Sequence, residues 1–297
     1  MAPKHKEQGQ FKGQKTLPPP IRLRNNVFDW SRTYVMGILN ITPDSFSDGG
    51  EFLNKESALF QAETLINEGA DILDIGGESS RPFSEPVSVE EELNRVIPVI
   101  KTIRKRFNIP ISVDTTKHQV AKAALDEGAD IINDISALRF DSKMVEVAVN
   151  YDVPVILMHM KGSPKDMQIN PVYEDVVKEV KNFLKQRLDF ACINGIKREN
   201  IILDPGIGFG KSFVHNLEII NKINEIVSIG QPVLIGASRK AFIGAITDIK
   251  EPEKRDIPTL GVNSVCALKG AHIIRVHKVG ITCQVLKVVD AIKKQGI

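Results

Sequence analysis

Eight polar or glycine-rich stations recur along this chain, each directly after a short apolar run. They are Asn40, residues 76–81, Asp114, Asn133 with Asp134, His159, Asp204, residues 238–240, and His277. A single Asp or Asn at such a place reads most simply as a helix cap, accepting hydrogen bonds from free N–H groups. Eight on one rim read as ligand groups. Asp114, Asn133 and Asp204 supply carboxylate and amide groups, which suit the adjacent N–H donors and carbonyl of a flat, guanidine-like heterocycle edge. Arg275 and His277 lie two apart on one run, so they face the same side and suit an anionic leaving group such as phosphate. The plain alternative for that pair is a structural ion pair with a nearby carboxylate. Lys240 can serve a heterocycle atom or a phosphate oxygen.

Two segments between the runs are dense in small and turn-forming residues: ITPDSFSDGG at 41–50 and GGESSRP at 76–82. Loops of this kind act as mobile lids, and two from neighbouring strands can close over a second substrate. Gly206, Gly208 and Gly210 in DPGIGFGK match neither a Walker A loop nor a dinucleotide fingerprint. They read as backbone clearance beside a flat ligand.

The elements that must position these groups follow from periodicity. Short β-rich runs at 34–39, 72–75, 111–113, 130–132, 155–158, 201–203, 233–235 and 273–276 are each followed by enough chain for a helix. Helical spacing of apolar residues is plain at 56–67, 89–106, 117–126, 142–151, 172–193 and 214–226. EGADILDI, EGADIIND and KGAHIIRV form a weak internal repeat, placing Gly69, Gly128 and Gly270 where a helix stops before a buried strand. Eight βα pairs without a GxGxxG turn predict a (β/α)8 TIM barrel rather than an open doubly wound sheet. Its catalytic residues are then expected at the carboxyl ends of the strands.

At 297 residues, with 42% hydrophobic and 26% charged residues, the chain suits one such barrel domain at 34–297 preceded by an extension at 1–33. The first 33 residues hold seven Lys or Arg against Glu7 and Asp29, so the overall charge of +2 leaves the remainder net negative. Such a tail can bind nucleic acid or address the chain to a compartment. It lacks the apolar core of a secretory signal and the Arg and Ser richness of a transit peptide, so a basic, disordered extension without nucleic-acid function is expected. No apolar stretch is long enough to cross a bilayer. Cys192, Cys266 and Cys283 show no disulfide or zinc spacing, which fits reduced thiols in a cytoplasm.

The stretches MGILNITPDSFSDGG, DIGGESSRP, VDT, NDIS, LMHMKGSPKDMQ, LDPGIGFGK, SRKAFIG and RVH, in this order across residues 34–290, resemble the dihydropteroate synthase family. The resemblance implies condensation of 7,8-dihydropterin-6-ylmethyl diphosphate with 4-aminobenzoate, releasing pyrophosphate. It implies that Asp114, Asn133, Asp204 and Lys240 hold the pterin, with Met158, Phe209 and Gly236 shaping its slot. Asn40 would coordinate Mg2+ carried by the pyrophosphate, and Ser80, Arg81, Arg275 and His277 would contact that anion. Phe46, Pro82, Phe209, Ser238 and Lys240 would surround the aminobenzoate. Asp114, Asp204, Lys240 and Arg275 are the implied catalytic set, and a homodimer built on outer helices is the implied assembly.

The chain departs from the family pattern at Phe83 and Ser84 after the second loop, at Ser80 in place of Thr, at Ala241 after SRK, and at Lys278 after RVH. None of these lies in the implied pterin set. Two other readings share a pterin site: a barrel moving a methyl group from methyltetrahydrofolate to a corrinoid, and a noncatalytic pterin-binding protein. Neither requires both SRK and RVH.

Overall fold

The computed structural model describes residues 17–41, 51–81 and 84–295, leaving aside the side chains of 51–55. The first described elements are β1 (Ile21–Leu23) and β2 (Asn26–Phe28), paired as an antiparallel hairpin. The apolar runs then extend as parallel strands: β3 (Tyr34–Asn40), β4 (Ile72–Gly76), β5 (Ile111–Asp114), β6 (Ile131–Asp134), β7 (Val155–Met158), β8 (Ile201–Asp204), β9 (Leu234–Ile235) and β10 (Ile273–Val276). Their order in the sheet is β8, β7, β6, β5, β4, β3, β10, β9. A parallel bridge between Leu203 and Val233 joins the two ends, so the sheet closes as the expected (β/α)8 barrel.

The helices that return the chain are α1 (Glu51–Asn67), α2 (Val89–Arg106), α3 (His118–Asp126), α4 (Met144–Tyr151), α5 (Val176–Ile193), α6 (Phe213–Asn221), α7 (Ile223–Val227), α8 (Ala241–Thr247), α9 (Asp256–Leu268) and α10 (Val279–Lys293). α2 shows why these boundaries fall where they do. Ser88 caps it by accepting from the Glu91 N–H, three glutamates fill its first turn, and Arg104, Lys105 and Arg106 its last. α5 starts at Val176 rather than at 172, because Asp175 accepts from the Lys178 N–H and so fixes the first turn. The expected helix at 214–226 is two, broken where Lys222 leaves helical geometry (φ −116°, ψ 29°). Gly69, Gly128 and Gly270 end their helices at φ 100°, 100° and 104°, so the internal repeat marks helix stops.

Side-chain alternation splits the core into two layers. Outward strand residues such as Leu73, Val113, Leu157 and Ile274 pack with Ala62, Val96, Val120 and Leu184 of the helices. Inward residues Tyr34, Met36, Ile72, Ile131, Ile156, Ile202, Leu234 and Ile273 fill the barrel near the start of the strands. Ile21, Leu23, Phe28 and Trp30 join that inner layer and plug the barrel from below.

Here the expected 1–33 extension is corrected. Residues 17–33 are built into the fold, because their four large apolar side chains cover an otherwise open barrel floor; residues 1–16 lie outside the described part. The hairpin is also tied polarly. Trp30 Nε1 donates to the Pro19 carbonyl at 2.8 Å, and Arg24 pairs with Asp130 at 2.7 Å. Among the described residues, no helix is long and apolar enough to cross a membrane.

Trp30 is 5% exposed, so Trp30→Ala is expected to cost about 3–5 kcal/mol of unfolding free energy. A urea midpoint within error of wild type would show that the hairpin does not seal the floor. His272 stands against Trp30 with ring centroids 5.6 Å apart, and its Nδ1 accepts from the Val233 N–H. Burial pushes its pKa from the ordinary 6.5 down to about 4. Below pH 6.5 the unfolded chain therefore takes up a proton that folded His272 refuses, and stability falls as pH drops toward about 4. Thermal melts of His272→Asn are expected to depend less on pH across that window than those of wild type. Identical slopes for the two proteins would rule this out.

Candidate active site

The alternation that puts apolar residues on the floor puts polar ones above them. Two residues beyond Ile72 on β4 is Asp74; beyond Ile131 on β6, Asn133; beyond Ile156 on β7, Met158; and beyond Ile202 on β8, Asp204. Gly236 follows Leu234 of β9 in the same way, and Arg275 follows Ile273 of β10. Asp114 ends β5 level with Asn133, and Met158 is level with Asp204. The result is a polar ring inside the barrel mouth, at the end away from the hairpin.

Arg275 is the hub of this ring. Its Nε donates to Asp74 Oδ2 at 2.6 Å, and its Nη2 donates to Asp114 Oδ2 at 3.0 Å. Asn133 Nδ2 donates to the same Asp74 oxygen at 3.1 Å. Burial opposes the guanidinium charge, but Asp74 and Asp114 outweigh it and raise the Arg275 pKa. The ion-pair alternative therefore describes what Arg275 does here. Its Nη1 makes no hydrogen bond to any described residue.

Two carboxyl groups sit near neutrality. Burial, reinforced by the charge of Asp74, pushes Asp114 up to about 7 against the opposing pull of Arg275. Burial likewise raises Asp204 to about 6, although its Oδ1 accepts from the Gly206 N–H at 2.7 Å and Lys211, Lys240 and Arg275 lie near. Both are carboxyl groups whose charged form gains from any new neighbouring cation. Burial and Arg275 lower Lys240 to about 8, and its Nζ lies 4.0 Å from the centre of the Phe209 ring. Met158 and Phe209 pack with Met160 and Met167, an apolar wall beside these charges.

Other expected residues fall at the edge. Asn40 is half-buried at the end of β3, opposite Gly76, and its amide makes no hydrogen bond to a described residue. Ser238 Oγ lies 2.9 Å from His277 Nδ1; burial, then Arg239 and Arg275, lower His277 to about 3, so it meets a ligand as a neutral ring. Ser80 is half-buried, and exposed Arg81 is near enough for its charge to bear on Lys240 and His277. Phe46, Pro82 and Phe83 lie outside the described residues.

Three expectations change. His159 does not face the mouth: it is buried, with its Nδ1 2.9 Å from Lys211 Nζ, and burial lowers it to about 2. Asp134 turns into its own loop, accepting from the N–H groups of Ser136 and Leu138 at 2.7 and 2.8 Å, which is a capping role. The glycines of DPGIGFGK clear protein rather than ligand. A Cβ on Gly206 (φ 67°) would stand 2.0 Å from the His159 carbonyl oxygen, and one on Gly208 (φ 82°) 2.9 Å from Lys240 Cδ.

Sequence reasoning missed Asp74 and Lys211. Asp74 is an acid within the apolar run ILDIG, and its parity with Gly76 was the available signal. Lys211 is buried and donates to the Phe209 carbonyl at 2.9 Å; burial lowers it to about 7. It ties the loop after β8 to the end of β7.

Residues 36–277 match the pterin binding enzyme family. The dihydropteroate synthase of Synechocystis sp. is 46% identical over 280 residues, covering 93% of this chain and 96% of that protein. The dihydropteroate synthase of Haemophilus influenzae is 48% identical over 267 residues, covering 90% and 96%. Among solved structures, Xanthomonas albilineans dihydropteroate synthase with 4-aminobenzoic acid superposes with a TM-score of 0.88 at 42% identity, covering 94% of this chain and 99% of that one. The same enzyme in complex with 7,8-dihydropteroate gives 0.84 at 40%, covering 94% and 100%. A likeness this strong and this complete decides against the methyl-transfer and noncatalytic readings, and the chain belongs to the pterin-binding enzyme family, within it to the dihydropteroate synthases.

Proposed function

We infer that the protein is a transferase of folate biosynthesis, joining 7,8-dihydropterin-6-ylmethyl diphosphate to 4-aminobenzoate to give 7,8-dihydropteroate and pyrophosphate. The observation that carries the mechanism is the pair of buried carboxyl groups, Asp114 and Asp204, facing one ring with Arg275. The pterin edge is placed against Asp114, Asn133, Asp204 and Lys240, with Met158 and Phe209 along its faces and Gly236 giving it room.

As pyrophosphate departs, the C–O bond electrons leave with the anion and the methylene carbon becomes electron-poor, its charge spreading into the pterin. Asp114 and Asp204, costly to ionise while the ring is neutral, become favourable anions beside a cationic ring. Their interaction strengthens as charge develops, which is the condition for lowering a barrier rather than only binding substrate. Arg275 Nη1 faces the departing anion, joined by neutral His277 and by Ser80 and Arg81 of the second loop. The arylamine nitrogen then attacks the methylene carbon. It is neutral at pH 7, so no strong general base is required; the N–H proton shed once the C–N bond has formed passes to the released pyrophosphate or to water, and closure of the second loop at 76–81 would exclude competing water before that step.

Among the described residues, no group of three or more His, Cys, Asp or Glu could hold a metal ion. The half-buried Asn40 amide oxygen suits Mg2+, which favours oxygen donors and reaches such sites largely coordinated by substrate phosphate and water. Bound there, Mg2+ would neutralise charge on the leaving anion. Phe46, Pro82, Phe209, Ser238 and Lys240 are proposed to surround the aminobenzoate. Exposed Ile257, Val265 and Leu268 of α9, with Ile281, Val288 and Ile292 of α10, support a homodimer on these outer helices, and a cytoplasmic location fits the reduced thiols.

Purified protein with Mg2+ and both substrates is expected to release pyrophosphate and form dihydropteroate, and chelation to stop it. Folded protein without product would end this assignment. Asp114→Ala is expected to weaken pterin binding roughly 10- to 100-fold, the scale of a hydrogen bond to a charged group. Arg275→Ala should instead lower turnover by on the order of 10²-fold or more. Small, equal effects of both substitutions in both assays would mean these roles are misassigned.

A further inference from the structure

Asp74 belongs to none of the proposed ligand contacts, yet it touches two residues that do. Its carboxylate is wholly buried, and a single oxygen, Oδ2, accepts from Arg275 Nε at 2.6 Å and from Asn133 Nδ2 at 3.1 Å. We propose that Asp74 is a positioning residue, whose one oxygen sets the anion-facing guanidinium and the heterocycle-facing amide in register with each other.

The guanidinium is planar, and a plane is fixed when two of its nitrogens are held. Asp74 holds Nε and Asp114 holds Nη2, so Nη1 can point only one way. The Asn133 amide has two possible orientations that differ by exchange of its oxygen and nitrogen. Donation from Nδ2 to Asp74 settles that choice and leaves the Asn133 oxygen as an acceptor. Held together, the two side chains keep a fixed spacing between where a ring binds and where an anion departs.

Filling the barrel interior does not by itself call for an acid at this position. Asp74 Oδ1 is buried without a hydrogen-bond partner, as is the hydroxyl of Ser112, its neighbour in register on β5. A buried carboxylate with one orphaned oxygen is unfavourable in itself, and only the Arg275 charge and the Asn133 amide that it holds offset that cost. Keeping an acid here makes sense through what it holds.

The kinetic arm of the test rests on the synthase reading; a spectroscopic arm does not. Asp74→Leu is close in size but offers no acceptor, so neither Arg275 Nε nor Asn133 Nδ2 keeps the partner that now holds it. It is expected to lower kcat/KM for the pterin diphosphate by roughly 30-fold or more while KM for 4-aminobenzoate stays within about threefold, measured at a temperature where the variant is still folded and melts cooperatively above it. Combined with Arg275→Gln, it should add less than about threefold to the loss from Arg275→Gln alone. Wild-type kinetics, equal losses for both substrates, or full additivity would overturn the proposal.

The second arm uses unmutated protein and covers failure of Asp74→Leu to fold. In a 15N-arginine sample, the Arg275 Nε–H resonance, assigned by its loss in Arg275→Lys, should exchange with water far more slowly than those of surface arginines. It should remain slow when dihydropteroate is added. Rapid exchange would refute the fixed guanidinium, whereas absence of turnover with slow exchange would retire the synthase reading and leave this geometry standing.

Discussion

A closed barrel of eight short strands has an interior that each strand can reach with only one or two side chains. Those positions must satisfy opposite demands: apolar contact where the interior is sealed, and polar groups where it opens. The chain meets both by repeating one step of the strand alternation, as in Ile72 then Asp74, Ile131 then Asn133, Ile202 then Asp204, and Ile273 then Arg275. A shift of one residue in any strand would turn these groups into the helix layer. The site therefore depends on register before it depends on any individual contact.

Crowding acids into that small volume shapes their chemistry. Asp74, Asp114 and Asp204 share the mouth with Arg275 and Lys240, and burial makes each uncompensated charge costly. A site with slack in its protonation responds to the charge of what enters. Burial pushes Asp114 up to about 7 and Asp204 up to about 6, where a cation brought close favours the charged form of each. Lys211 and His159 beneath the β8 loop show the same economy of charge: burial lowers both, and the Lys211 charge lowers His159 further.

Much of this was legible in the residue order because strand ends are marked twice, by the end of an apolar run and by the start of polar residues. Asp114, Asn133 and Asp204 carry both marks. Asp74 carries neither, since Ile75 follows it and the apolar run continues past it; only its parity with Gly76 places it inside. Asp134 and His159 carry both marks and still turn away from the mouth, because loop geometry after the strand decides direction and spacing does not encode it. The hairpin was hidden for a different reason. Basic residues and three consecutive prolines dominate the composition of the first 33 residues, whereas Ile21, Leu23, Phe28 and Trp30 act through a partner surface that exists only once the barrel has formed.

That hairpin gives the molecule a direction. The hairpin lies at the floor, with the whole sealed inner layer between it and the polar mouth. An affinity handle, a surface linker or a second protein joined directly ahead of residue 17 would therefore start from the face opposite the polar mouth. The barrel can be tethered by its base and left open at the top.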